Sequence, residues 1–119
     1  MTGKAQVRVG RVYDEPASAD GLRVLVDRVW PRGLSKDKAH IDEWCKQVAP
    51  STELRKWYAH DRERFAEFTR RYKSELREDE RAEALAHLRD LARGKTVTLL
   101  TATKEADISQ AAVLADMIS

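Results

Sequence analysis

Cysteine occurs once in these 119 residues, at position 45. One thiol builds no disulfide framework, and no Cys-x-x-Cys pair is present for metal binding or dithiol redox chemistry. A reducing, cytoplasmic setting is therefore the expectation. Histidine is scarce as well. His40, His60 and His87 share no metal-ligand spacing, so no metal site is expected. Apolar runs last only a few residues, far short of the ~20 needed to cross a bilayer, and no membrane role is expected. The start lacks a charged-then-apolar leader, and Met1-Thr2-Gly3-Lys4 lacks a myristoylation pattern. An excess of one charge is also missing, because 22 basic residues stand against 20 acidic ones. Wholesale phosphate-backbone binding needs a concentrated basic face, so nucleic acid is not the expected partner. Arg70, Arg71, Lys73 and Arg77 do form a basic run, but Glu67, Glu75, Glu78 and Asp79 interleave with it. That pattern reads as a solvated helix face.

What remains is a chain with 42% hydrophobic and 35% charged residues, apolar in every segment after the first few. Residues 1–119 read as one α/β domain around one core. Proline stands at 16, 31 and 50, and each closes an element. Gln6 to Tyr13 reads as a strand, with a bulge at Gly10-Arg11. Leu22 to Val29 is a second strand. It is too short for a helix before Pro31 and is rich in valine. Leu22, Val24 and Val26 would face one side, Leu25 and Val29 the other, as in a central strand.

Ile41, Trp44 and Val48 suggest a short amphipathic helix within Ser35–Val48. Ser51 then caps a helix whose inner stripe is Leu54, Trp57 and Tyr58. Asp61 caps the next, carrying Phe65, Phe68, Tyr72 and Leu76 at helical spacing. Glu80 to Ala92 is a further helix, with Leu85, Leu88 and Leu91 inward and Gly94 as its C′ residue. Thr96 to Thr101 is the third strand. Asp107-x-x-Gln110 resembles a capping box before a last helix with Val113, Leu114, Met117 and Ile118. The expected fold is thus a small, mainly parallel three-stranded sheet packed by about five helices, in two or three layers. The order of elements leaves the relative direction of the first two strands open.

In open α/β sheets ligands bind beyond the carboxyl ends of the strands. Past the second strand lie Asp27, Arg28, Trp30 and Arg32. Past the third lie Thr101, Thr103 and Lys104, then the start of the last helix with Ser109. Cations beside a helix start make an anion site. Arg28 and Arg32 would grip the anion, joined by Arg55 if it reaches the loop from the Ser51 helix instead of lying in solvent, unless Arg28 and Arg32 pair with Asp27, Asp14 or Glu43 and tie the loop down. Asp27 would orient the arginines or act as a base, and His60 would carry a proton if there is chemistry. Against that, Asp61 can cap a helix and leave His60 alone. Trp30 either stacks on a ligand or plugs the core. Cys45 has no activating motif and reads as an inert thiol.

Several blocks together match a known pattern. Arg11-Val12-Tyr13-Asp14 is followed by Leu25-Val26-Asp27-Arg28-Val29-Trp30-Pro31-Arg32-Gly33-Leu34. Then come Trp44, Ala49-Pro50-Ser51, Leu54-Arg55, Trp57, His60, Phe65, Phe68, Tyr72 and Thr98-Leu99-Leu100. With these the chain resembles the YeaO-like proteins, the family catalogued as domain of unknown function 488, over nearly its whole length. The resemblance implies a stand-alone bacterial or archaeal α/β cytosolic protein and carries over no catalytic role. Where members often have an Asn-His pair before Ala-Val-Val-Leu, this chain has Ser109-Gln110, polar but without an imidazole. It also lacks the C-terminal cysteines of the larger family's other branch.

The expected function is recognition of a small anion, whether phosphate, carboxylate or nucleotide-like, in an Arg-rich pocket. No cofactor, oligomeric state or reaction follows from the residues. The alternative is a regulatory or interaction module that binds a protein or nucleic-acid partner through the same loop. A concave pocket favours the first and a flat surface the second.

Overall fold

The structure is a computed structural model and describes residues 6–119. The reading of Met1–Lys4 lies outside the described residues. Among the described residues, four parallel strands form the sheet: β1 (Val7–Arg11), β2 (Leu22–Leu25), β3 (Glu43–Trp44) and β4 (Val97–Thr101), in the order β1-β4-β2-β3. The sheet therefore has one strand more than expected. Five helices accompany it among the described residues: α1 (Lys36–Ala39), α2 (Thr52–Tyr58), α3 (Phe65–Glu75), α4 (Asp79–Leu91) and α5 (Gln110–Ile118).

The last strand in the chain holds a central place. β4 pairs with β1 on one edge, Val9 opposite Leu99, and with β2 on the other, Val24 opposite Leu99. Every residue of β4 is buried. Its period of two divides the sheet into faces. Val97 and Leu99 join Leu22, Val24 and Val26 against Tyr58 of α2, Phe68 and Tyr72 of α3, Leu88 of α4 and Leu114 of α5. Leu100 and Leu25 turn the other way, into a smaller cluster with Val12, Trp30, Ile41 and Trp44. The result is one helical layer on one sheet face, with loops over the other.

The expected alternation of Leu22, Val24 and Val26 against Leu25 is present, but the strand is shorter than Leu22–Val29. After Val26 donates to the Leu100 carbonyl at 3.0 Å the chain leaves the sheet. Val29 is 67% exposed rather than core-facing. The bulge expected at Gly10-Arg11 is absent: the ladder runs on unbroken, Gly10 opposite Leu100 and Arg11 opposite Thr101. Gly10 serves packing instead, since a Cβ there would sit 3.4 Å from the Leu100 side chain.

The helix expected through Ile41, Trp44 and Val48 is a strand at its centre. Its three apolar residues divide between the two clusters, Val48 on the helical face and Ile41 and Trp44 on the other. The Arg23 guanidinium takes the Ala39 and His40 carbonyls at 3.4 and 3.0 Å, and His40 turns left-handed with φ 49°. That ends α1. The Asp42 and Cys45 N–H groups then donate to β2 carbonyls, each at 2.8 Å.

β1 and β2 are parallel but not neighbours, so the Val12–Gly21 link passes across β4. It does so on the loop-covered face, where Thr98 Oγ1 donates to the Asp20 carbonyl at 2.8 Å. Gly21 is fixed by that crossing. At φ 63°, a Cβ would lie 2.1 Å from the Thr96 carbonyl oxygen. Buried Asp20 pairs with buried Arg23 at 2.7 Å. Asp20 also accepts from the Ala17 N–H at 3.0 Å. That bond, and then Arg23, holds its carboxyl below the usual carboxylate range against the opposing effect of burial.

Helix ends mostly follow local chemistry. Ser51 Oγ accepts from the Leu54 N–H at 3.1 Å, as expected of an N-cap. Asp61 accepts from the Glu63 N–H at 3.0 Å. Two ends differ. α4 is closed by Ala92, with Gly94 further on at φ 71°. Asp107 caps nothing: it pairs with Arg62 at 3.2 Å, and Ser109 is the N-cap position of α5. Among the described residues, no helix is long and apolar enough to cross a membrane.

Candidate functional site

A cavity of about 620 Å³ opens beyond the carboxyl ends of β2 and β4. That volume suits a ligand of drug or nucleotide size. One wall is the loop after β2, with Arg28, Val29, Trp30, Pro31 and Arg32. The facing wall is α2 and the turn after it, with Thr52, Arg55, Lys56, Tyr58 and His60. Asp27, Ala102, Thr103, Ser109 and Gln110 complete the lining. The cavity brings together eight of the residues singled out from the sequence: Asp27, Arg28, Trp30, Arg32, Thr103 and Ser109 from the strand-end rule, with Arg55 and His60 from α2 and the turn after it.

Two others are placed differently. Thr101 is fully buried beside the cavity, where its hydroxyl donates to Asp27 at 2.8 Å. Lys104 is exposed and is not part of the lining. Gln110, Thr52, Lys56 and Tyr58 do not stand out as site residues in the sequence. Only polarity at Ser109-Gln110 hints at the first of them, because nothing local links Gln110 to a strand 83 residues earlier.

Asp27 is the most constrained group of the site. Oδ1 accepts from Thr101 Oγ1 at 2.8 Å and from Gln110 Nε2 at 2.5 Å, while Oδ2 accepts from the Ala102 N–H at 2.8 Å. Burial holds its pKa above the ordinary carboxylate value, and the three donors with the Arg55 charge offset only part of that rise. Donors surround the carboxyl and no acceptor faces it, which fits the ionised form. Asp27 does not touch the guanidinium groups of Arg28 or Arg32; it joins the ends of β2 and β4 to the start of α5.

Trp30 and Trp44 build the loop wall from within. The Trp30 indole N–H donates to the Leu34 carbonyl at 2.7 Å, closing the Pro31–Gly33 turn. Its ring meets Trp44 edge-on, centroids 5.4 Å apart. Trp44 in turn donates to the Asp27 carbonyl at 2.8 Å. Trp30 therefore anchors the loop as part of the smaller core cluster and also borders the cavity.

The cations are the salient feature. Arg28 and Arg32 are exposed, and neither forms an ion pair among the described residues. The pairings with Asp27, Asp14 or Glu43 do not form. Arg55 is half-buried, with one terminal nitrogen 3.2 Å from Thr52 Oγ1. Its Nε is fully buried and has no hydrogen-bond partner. The start of α5 likewise has no side-chain cap. Ser109 Oγ donates back to the Ala106 carbonyl at 2.7 Å instead of capping, and the Gln110 and Ala111 N–H groups meet no acceptor among the described residues.

His60 reaches the rim through an uncommon backbone. Ala59 and His60 are both left-handed, at φ 48° and 58°. Two such residues in succession are sterically costly. The neighbouring Asp61 turns to the Glu63 N–H and to Arg64, at 3.5 Å, so it forms no dyad with His60. Cys45 is buried, and burial, with Glu43, pushes its thiol up to about 11. No group of three or more potential metal ligands occurs among the described residues.

A parallel sheet with helices on one face and a cation-lined pocket at its strand ends defines the class of protein. The chain belongs to the DUF488 family. Residues 6–119 match the family model described as the inactive DUF488-N3 subclade. An uncharacterized protein, Rv3073c, of Mycobacterium tuberculosis H37Rv is 50% identical over 119 residues, covering 100% of this chain and 98% of the relative. The uncharacterized protein YeaO of Escherichia coli K12 is 40% identical over 112 residues, 94% of this chain and 96% of YeaO. No solved structure matches the chain.

Proposed function

We propose that this is a cytoplasmic receptor for a small anion, a phosphate, carboxylate or nucleotide-like group, held between the Arg28–Arg32 loop and α2. The observation that carries the reading is the meeting of Arg28, Arg32 and Arg55 around one concave cavity, the first two without an ion pair among the described residues. Beside them the Arg55 Nε is buried without an acceptor, which costs about 1–3 kcal/mol. The uncapped start of α5 and the unpaired Arg28 and Arg32 favour a ligand that is negative. The concave form of the cavity favours a small ligand over a macromolecular surface.

Binding rather than turnover fits Asp27. Both of its oxygens accept from protein donors, which ties the carboxylate to the fold as a positioning group. The description of the family model as inactive supports the same reading. The test is a thermal-shift titration with inorganic phosphate at constant ionic strength. The wild type should gain stability with phosphate, and Arg28→Ala/Arg32→Ala should not. A wild type indifferent to phosphate would sink the proposal.

A further inference from the structure

The cavity is larger than an inorganic anion needs, and its walls differ in character. Val29, Trp30 and Pro31 offer apolar surface on one side, while Arg55 lies on the other. Between them, Gln110 has a fixed polarity. An ionised carboxylate can only accept, so Asp27 requires the Nε2 end of the amide, 2.5 Å away. The Oε1 end is thereby turned away from Asp27. It has no partner among the described residues and is not a buried orphan. The cavity thus holds an oriented acceptor beside its cations.

Resting on the anion-receptor reading, we propose that the ligand is an organic anion whose apolar body carries an N–H or O–H donor. Gln110 is the specificity-determining residue, and Asp27 is the positioning residue that fixes which end of the amide the ligand meets. The anionic group lies at Arg55, and the body lies along Val29–Pro31. A ligand with an acceptor in place of the donor meets Oε1 lone pair to lone pair and is rejected.

The hydrogen bonds of Asp27 supply an inversion test. The Ala102 N–H cannot turn, so in Asp27→Asn the amide oxygen must remain where Oδ2 stands. The new NH2 then takes the place of Oδ1, facing Thr101 and Gln110. The Thr101 hydroxyl can rotate to accept. Gln110 has to turn over, giving Oε1 to that NH2 and showing Nε2 to the cavity. A carboxylate that merely supported the fold would change stability and weaken all ligands alike. A positioning carboxylate reverses their order.

The probes are phenyl phosphate and its ring-substituted amino, methyl and acetyl forms at each ring position, titrated calorimetrically. With the wild type, at least one aminophenyl phosphate should bind about tenfold tighter than its methyl isostere, the worth of one good hydrogen bond. The matching acetyl form should bind no tighter than the methyl one. Gln110→Met should erase the amino preference, so that amino and methyl forms bind alike at every ring position. Asp27→Asn should transfer the preference to the acetyl series. If inorganic phosphate and every aryl phosphate fail to bind, the anion-receptor reading falls with this one. If phosphate binds but aryl phosphates gain nothing over it, or amino and methyl forms are equal at every position, the receptor stands and this inference is wrong. Loss of affinity in Asp27→Asn without reversal would reduce Asp27 to a structural group.

Discussion

Arg55→Met gives the sharpest perturbation of the site because it should act in opposite directions with and without ligand. In the unliganded protein, the substitution removes a buried Nε that has no acceptor. An orphan donor of that kind costs about 1–3 kcal/mol. The variant loses the exposed contact with Thr52 Oγ1 at 3.2 Å, worth about 0.5 kcal/mol. It also loses the attraction of Arg55 for Asp27, which offsets part of the gain. Methionine keeps most of the stem's apolar contact. The net expectation is a gain of about 1 kcal/mol, or roughly 4 °C in Tm for a chain of this size. With phosphate at a hundred times its Kd, the wild type gains about 2.7 kcal/mol, roughly 10 °C, whereas the variant gains almost nothing. Differential scanning calorimetry should therefore show the two proteins exchanging rank as phosphate is added. A variant that is less stable by more than about 1 kcal/mol without phosphate would make Arg55 a structural residue. Retention of the full phosphate response would remove it from the site.

Three further outcomes are expected. Ala59→Gly relieves a left-handed alanine at the end of α2 and should raise stability by about 0.5 kcal/mol after the unfolded-state entropy of glycine, read as a higher urea midpoint. Cys45, its thiol pushed up to about 11, should resist iodoacetamide at neutral pH in the native protein and react in urea, and Cys45→Ser should keep the phosphate response. Asp20→Ala strands a guanidinium that is 5% exposed and should cost about 3–5 kcal/mol, whereas Asp20→Ala/Arg23→Met should recover most of it. Because the folded pKa of Asp20 is lowered, its contribution is full above the ordinary carboxylate value of 3.8 and fades as pH falls through the folded value. Acid unfolding of wild type and Asp20→Ala should accordingly converge at low pH.

What can be read along the chain, and what cannot, follows from the range of the interactions. The helices α2, α3 and α4 and the strands β2 and β4 are visible as periodicity, because each buries one face against the same core. Ser51 is legible as a cap because its partner Leu54 lies within a turn. The strand-end rule gathers Asp27, Arg28, Trp30 and Arg32, since topology alone places them, whereas Arg55 comes from α2 and its reach is not fixed by strand order. β3 is hidden because it is two residues long and is held by β2 and by Arg23, some twenty residues before it. Gln110 is hidden for the same reason on a larger scale. Lys104 looks equivalent to Thr103 in the sequence, yet only Thr103 lines the cavity, because the two part where the chain leaves β4. Asp107 fits a capping pattern but finds Arg62, across the surface from another segment.

The role of Asp27 follows from counting its donors. A general base needs a lone pair aimed at the proton it removes. The oxygens of Asp27 are engaged by Thr101, Ala102 and Gln110, which lie 74, 75 and 83 residues along the chain. Those three bonds bring the ends of β2 and β4 and the first turn of α5 to one point. Because Ser109 turns back to Ala106, the first N–H groups of α5 stay open beside that point. Substitutions at Asp27 should then move ligand order and ligand affinity together. Substitutions at Arg28 or Arg32, exposed and unpaired, should move affinity alone and more strongly at low salt, where surface charge is least screened. On the proposed reading, the acid of the loop signature acts on the ligand through the amide it orients, while the signature's arginines act on the ligand's charge directly.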